Sequence, residues 1–194
     1  TVIYRSVDVS AFDRANVTPQ RSASLAQKWD LSTQRDRLRI ILPARLTEWK
    51  GQRVLIEALI LLKKQNIDFE AIFVGDSQGR ESYGASLLTQ ITKAGLGQQI
   101  RLVGHCDDMP AAFALCDIAV TPSTEPEAFG RTAIEAQAMA LPIIASDIGG
   151  ARETVETGVT GYLVPPGSAT ALAAHLTTLI NMPIEQRKAM GAAG

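Results

Sequence analysis

The sequence predicts an α/β fold: a doubly wound domain with a mainly parallel sheet of about six strands. Along most of the chain, short apolar runs of strand length alternate with longer segments of helical period. The strand-like runs are rich in Ile, Val and Leu and lack in/out alternation, which suits a sheet covered by helices on both faces. With 194 residues, 46% of them hydrophobic and 20% charged, the chain can bury one sizeable core without disulfides or metal.

Each element has its own signal. Residues 1 to 35 read as an interdomain lead-in, with "VIYRSVD" extended and "TPQRSASLAQKW" a helix opening at Pro19. The domain proper is expected over 36 to 182. "RIILPA" (39 to 44) is the first strand, and 51 to 65 the first long helix, where Val54, Ile56, Ala58, Leu59, Leu61 and Leu62 make a broad apolar face. "FEAIFVG" (69 to 75) precedes a helix over 82 to 94 that ends at the breakers Gly95 and Gly97. "IRLVG" (100 to 104), a short helix at 110 to 116 and "IAVTPS" (118 to 123) follow. A helix begins near Arg131 and stops before Pro142. "PIIASD" (142 to 147), a helical turn at 151 to 156, "GYLVPP" (161 to 166) and a helix over 169 to 182 complete the series. Residues 183 to 194 read as the opening of further helices. Repeats and low-complexity tracts are absent.

Composition narrows the function classes. A net charge of -1 lacks the basic excess of a nucleic-acid binder. Cys106 and Cys116 come without a CxxC spacing or a cluster of His, so a zinc site is not expected, and they read as two small buried thiols of a reducing compartment. No apolar run reaches the ~18 residues of a membrane span and no signal-peptide core is present, so a cytoplasmic protein is expected. The sequence opens without Met on a strand-like segment and stops at "KAMGAAG", and is expected to be a piece of a longer chain. It has no GxGxxG, GxxxxGK[ST], HExxH or Ser-His-Asp ordering, and "VGDSQGR" is a plain strand-to-helix turn or a weak glycine-rich loop. His175, among Ala and Leu in a late helix, is structural.

In a sheet of this kind ligands bind beyond the carboxyl ends of the strands. Arg45, Gly75-Asp76, His105 and the stretch Ser123 to Gly130 should therefore converge on one cleft. Arg45 and Lys50 bracket a strand end and a helix start at Gly51, which makes either an anion site or a solvated charge group with Glu48. "EPEAFGRTAIEAQAMA" holds Glu127 in a loop and Glu135 inside a helix. Gly130 would let backbone approach a ligand, and the first turn from Arg131 offers N–H donors suited to a diphosphate. At ~1.5 Å rise per residue the two carboxylates lie on the order of 10 Å apart. That disfavours a shared proton or a single metal ion. Two readings stand: clamps on different ends of one extended ligand, or a loop charge and an exposed helical residue.

Taken together, "VIYRSVDVSAFD", "ARLTEWKGQRVLIEAL" and "DIAVTPSTEPEAFGRTAIEAQAMALPIIASDIGGARETVETGVTGYLVPPGSATALA" resemble the C-terminal, donor-binding, Rossmann-like domain of retaining GT-B glycosyltransferases of the group 1, or family 4, type. Bacterial lipopolysaccharide-core transferases are the nearest in appearance. The resemblance implies that Arg45 and Lys50 grip a donor diphosphate and that Glu127 contacts the sugar. It implies that Phe129, Gly130, Arg131 and Thr132 touch sugar and phosphate, that Glu135 holds the ribose, and that Gly104, His105 and Cys106 meet the base. The implied reaction moves a hexose from a GDP- or UDP-sugar to an acceptor with retention, without a metal or other cofactor, in lipopolysaccharide or other cell-surface glycan synthesis. The implied partner is an N-terminal acceptor-binding domain of the same polypeptide, through which any association with the inner face of a membrane would run; without it the piece should be inactive. Ala44, Arg5-Ser6 and Ala140 replace Gly, Asn-Gly and Gly of the family pattern, and Arg131 stands where many members carry an aliphatic residue. A nucleotide-binding module without transfer, or a nucleotide-sugar epimerase of the same fold, are the alternatives.

Overall fold

A computed structural model of the chain describes residues 7 to 32 and 36 to 194. The hinge positions Arg5-Ser6, and with them most of "VIYRSVD", lie outside the described residues. Six strands, β1 (Arg39–Pro43), β2 (Glu70–Val74), β3 (Ile100–Gly104), β4 (Ile118–Thr121), β5 (Ile143–Ser146) and β6 (Gly161–Val164), form one sheet in the order β3-β2-β1-β4-β5-β6. Every neighbouring pair is parallel. The doubly wound fold that the sequence predicts is the one found, and the sheet is parallel throughout.

The helices are α1 (Pro19–Lys28), α2 (Gln52–Lys64), α3 (Glu81–Lys93), α4 (Met109–Ala114), α5 (Arg131–Ala138), α6 (Ala151–Thr154), α7 (Ala169–Asn181) and α8 (Ile184–Ala192). Alternate residues of each strand feed opposite cores. Ile40, Leu42, Phe73, Val120 and Ile144 point to a layer with α2, α3 and α7. Ile41, Ile72, Ala119, Ile143 and Ala145 point to a layer with α1, α4 and α5. Because both faces are covered, the strands carry no polar alternation, which is why they read as unbroken apolar runs.

Helix α1 starts where its sequence predicts, with Thr18 capping the amide of Arg21 and Pro19 in the first turn. Its Leu25 and Ala26, with Trp29 and Leu31 beyond, are buried in the second core. Arg21 grips Asp108, the N-cap of α4, through two bonds of 2.6 and 2.7 Å. Part of the segment read as a lead-in is thus packed into the domain. At the other end α8 folds back on the sheet. The Arg187 guanidinium donates to the carbonyls of Leu179 and Met182 at 3.1 and 3.0 Å. Gly191 sits so close to Ala140 that a Cβ there would lie 2.2 Å from its carbonyl oxygen. Ala140 itself, after the C-terminus of α5, has φ 55, a left-handed conformation that favours glycine. No helix among the described residues is long and apolar enough to cross a membrane.

Candidate functional site

The sheet order reverses direction between β1 and β4, where successive crossovers leave toward opposite edges. That switch point opens a crevice at the carboxyl ends of the strands. The loops after β1, β2, β3 and β4 meet there around a cleft of ≈ 370 Å³.

The β1–α2 loop brings Arg45 and Lys50. Its start is held by the Leu46 amide on the Asp76 carbonyl (2.8 Å) and by the Gln52 side-chain amide on the Arg45 carbonyl (2.8 Å). Its end is locked against the β4–α5 loop. Gly51 has φ 74, and a Cβ there would fall 1.9 Å from the Pro122 carbonyl oxygen; the Thr124 amide donates to the Trp49 carbonyl at 2.8 Å. Only glycine satisfies both demands at residue 51.

Two ion pairs organise the cleft. Lys50 Nζ lies 2.6 Å from Glu127 Oε2, and both side chains are mostly buried. The other carboxylate oxygen of Glu127 accepts a short hydrogen bond from the Ser123 hydroxyl. The Lys50 ammonium also sits 4.3 Å from the Trp49 ring centroid, within range of a cation–π contact. Arg131 Nε lies 2.9 Å from Glu135 Oε1, one turn along α5. Glu135 is buried, and desolvation raises its pKa while Arg131 lowers it. Glu48, the partner considered for Arg45 and Lys50, holds neither: Lys50 pairs with Glu127, and Arg45 donates to the Gln78 side chain at 3.2 Å.

The main chain of Glu127 is fixed from the β5 side. The Gly150 amide donates to its carbonyl at 2.9 Å, and Cβ atoms at Gly149 and Gly150 would fall 2.3 Å from the Glu127 oxygen and 2.7 Å from the Phe129 carbonyl. Phe129 is half-buried, with its backbone against Gly150. Gly130, with φ 64, opens α5, so the first amides of that helix lack a side-chain cap. Glu127, Gly130 and Thr132 line a void of ≈ 20 Å³ next to the cleft, together with Ser123 and Ser146.

The third wall comes from β3, whose pairing slips one residue at Val74 and Gly104. Such a bulge re-aims the residues that follow, and His105 and Cys106 line the cleft while Gly104, with φ 73, makes the turn. His105 is exposed and reaches Asp107 at 2.9 Å. Cys106 is buried, and that burial pushes its thiol pKa up. Cys116, also buried, and His175, stacked on Tyr162 at 4.3 Å, lie away from these loops. Among the described residues no group of three or more His, Cys, Asp or Glu is placed to hold a metal ion.

The structure therefore gathers Arg45, Lys50, His105, Cys106, Arg131, Thr132 and Glu135 on one cleft, with Glu127 and Gly130 immediately behind. Ser123 belongs to the stretch expected to reach the cleft, as a polar residue just past a strand end. Sequence reasoning passed over the Gln78 bond to Arg45 and the Gly149-Gly150 contact with Glu127, both of which are tertiary. A larger cavity, of ≈ 580 Å³, lies at the opposite ends of the strands around Arg39 and Glu70. Those two are the first residues of β1 and β2 and are paired with each other at 2.6 Å, far from the convergent loops.

A family model described as Glycosyl transferases group 1 matches residues 25–194. The amylovoran biosynthesis glycosyltransferase AmsK of Erwinia amylovora is 37% identical over 152 residues, covering 73% of this chain and 36% of AmsK. A glycosyltransferase structure from Rickettsia africae superposes with a TM-score of 0.91 at 35% identity, over 100% of this chain and 50% of that one. Anabaena HepE in complex with UDP-glucose gives 0.87 at 33% identity, again over 100% and 50%. The C-terminal domain of the group 1 protein LpcC from Francisella tularensis gives 0.79 at 29% identity, over 97% and 94%. The chain thus spans half the length, or less, of the full-length proteins it matches.

Proposed function

Since the chain belongs to the glycosyl transferases group 1 family, with a GT-B-type fold along its whole length, we propose that it is the donor-binding half of a glycosyltransferase that takes a nucleotide diphosphate sugar. The observation that carries this reading is the cleft at the β1/β4 switch point, where Arg45, Lys50 and the uncapped start of α5 face one another across two buried carboxylates. The diphosphate lies between the cations and the helix amides, where charge-assisted bonds add about 1.5–3 kcal/mol each. Glu127 takes hydroxyls of the sugar and Glu135 those of the ribose, with the base toward Gly104, His105 and Cys106. The donor is a UDP-hexose or a GDP-hexose, and HepE, solved with UDP-glucose, supports the first of the two.

In the whole protein, the second domain brings an acceptor hydroxyl to the sugar. Arg45 and Lys50 stabilise the charge that grows on the departing diphosphate, the task otherwise given to a metal ion. Departure and attack on one face give retention. The setting is cytoplasmic, at the inner face of a membrane through the other domain, in lipopolysaccharide or other cell-surface glycan synthesis. Titration calorimetry of this chain with UDP, GDP and ADP, and then with their sugars, tests the reading. Saturable binding to one of them is expected, and none at millimolar concentration overturns it. Transfer of radiolabelled sugar by the full-length protein, with and without EDTA, tests the chemistry; binding without transfer would leave a nucleotide-binding module.

A further inference from the structure

Arg131 is the first residue of α5 and lies directly after the left-handed Gly130. Its guanidinium is mostly exposed, whereas the Glu135 side chain that it meets at 2.9 Å is only 10% exposed. A carboxylate so withdrawn from water is unstable as an anion unless a cation or several donors face it. Arg131 is the one residue whose hydrogen bond to the Glu135 carboxylate the structure shows among the described residues. The other charged groups of the cleft are engaged elsewhere or lie on its far walls. From the β1–α2 loop, Arg45 is bonded to Gln78 and Lys50 to Glu127. From the neighbouring loops come Asp76, His105, which faces Asp107, and the thiol of Cys106. Toward α4, Asp108 is held by Arg21; on α6, Arg152 is held by Asp147 and Glu153 adds a further acid.

The pair is local to this helix, four residues apart, yet it is asymmetric: the acid is in the cleft wall and the base in solvent. An arginine in that place has a fork of fixed geometry, so it orients the carboxylate as well as balancing its charge. We propose that Arg131 is a positioning residue for Glu135, holding the carboxylate ionised and turned into the cleft so that it can accept both ribose hydroxyls of a nucleoside diphosphate. This rests on the donor-binding reading above, and it adds a residue that acts without touching the ligand. The consequence is a pH signature. Burial raises the pKa of Glu135 and Arg131 lowers it, so removing Arg131 moves protonation, and with it the loss of ribose binding, to higher pH.

The test compares the parent chain with Arg131→Met and Arg131→Lys, which keep good helix formers at an exposed site; thermal melting checks that each is folded. The affinity of each is measured by calorimetry for UDP and GDP, and for their 2′-deoxy counterparts, between pH 5 and pH 8. Arg131→Met should weaken the ribonucleotide by about 5-fold, the upper range for a partly exposed pair, more so at the acid end, and weaken the deoxy form, which keeps only the 3′-hydroxyl, by clearly less. Arg131→Lys should recover part of the loss. Equal weakening of the ribo and deoxy forms would mean that Arg131 contacts phosphate instead, and no weakening of either would mean that it serves only as surface charge; both overturn the proposal. A second readout needs no ligand: the carboxyl ¹³C titration of Glu135 should shift to higher pH in Arg131→Met, and an unchanged midpoint refutes the coupling. Should the parent bind neither nucleotide, the donor reading falls, while the carbon titration still decides the pair.

Discussion

Substituting Gly149 by Ala probes how the Glu127 loop is held. Gly149 has φ 57, and a Cβ there would sit 2.3 Å from the Glu127 carbonyl oxygen and 2.8 Å from its amide nitrogen. The left-handed conformation costs an L-residue about 1–2 kcal/mol, offset in part by the less flexible unfolded chain. To reach an ordinary contact of 3.4 Å the Glu127 carbonyl must retreat by about an ångström, which breaks its 2.9 Å bond from the Gly150 amide, worth about 0.5–1.5 kcal/mol. With a net conformational cost of about 1 kcal/mol the sum is roughly 1.5–2.5 kcal/mol, or about 3–10 °C in melting temperature for a chain of this size. Gly79 provides the control, since its φ is 84 and nothing lies within 4 Å of its would-be Cβ; Gly79→Ala carries the conformational cost alone, about 1 kcal/mol. Urea unfolding of both variants measures the difference. If the two lose the same stability, the close approach of Gly149 to Glu127 does not matter and the reasoning fails.

Three more outcomes are expected. Lys50→Ala in the full-length protein should lower sugar transfer by roughly 10²–10³-fold, as for other preorganised charge stabilisers, and activity within about twofold of the parent would remove Lys50 from the mechanism. Asp108→Ala removes the cap of α4 and should cost about 1 kcal/mol near neutral pH. The Arg21 side chain holds the Asp108 carboxyl below its usual pKa. That stability is therefore present above the unfolded value near 4 and is lost as pH falls through the lower folded one; a urea midpoint difference that stays constant down to about pH 2 contradicts this. Ala140→Gly relieves a left-handed alanine with φ 55 and should stabilise the protein by up to about 1 kcal/mol in the same assay, with a loss of stability as the refuting result.

The strands were legible because a parallel sheet buried on both faces needs apolar residues at every position, and "RIILPA" or "IAVTPS" fits no other element of that length. The convergence of Arg45, Asp76 and His105 on the cleft was legible for a related reason: polar residues just past strand ends have one place to go. What was not legible depends on partners distant in sequence. Lys50 finds Glu127 across 77 positions, although Glu48 is its near neighbour in the chain. The packing of Leu25 and Trp29 beneath α4 is likewise tertiary; the helix was readable from Thr18 and Pro19, its attachment to the domain was not. The Arg131–Glu135 contact has a spacing that permits pairing, but its one-sided burial is a property of the fold.

The contacts at Gly51 and Pro122, and at Gly149 and Glu127, have a consequence for adaptability. They join the loops after β1, β4 and β5 by backbone touching backbone, so these three segments cannot change shape one at a time. The entropy of ordering that side of the cleft is spent in folding, and an incoming molecule does not have to supply it. Beyond Asp76, whose carbonyl takes the Leu46 amide, the turn at residues 77 to 80 is different in kind, because Gly79 meets nothing and Gln78 reaches Arg45 only through an exposed hydrogen bond. Discrimination among ligands of similar size should therefore be set by a rigid template on one side, with the accommodation confined to one short turn on the other.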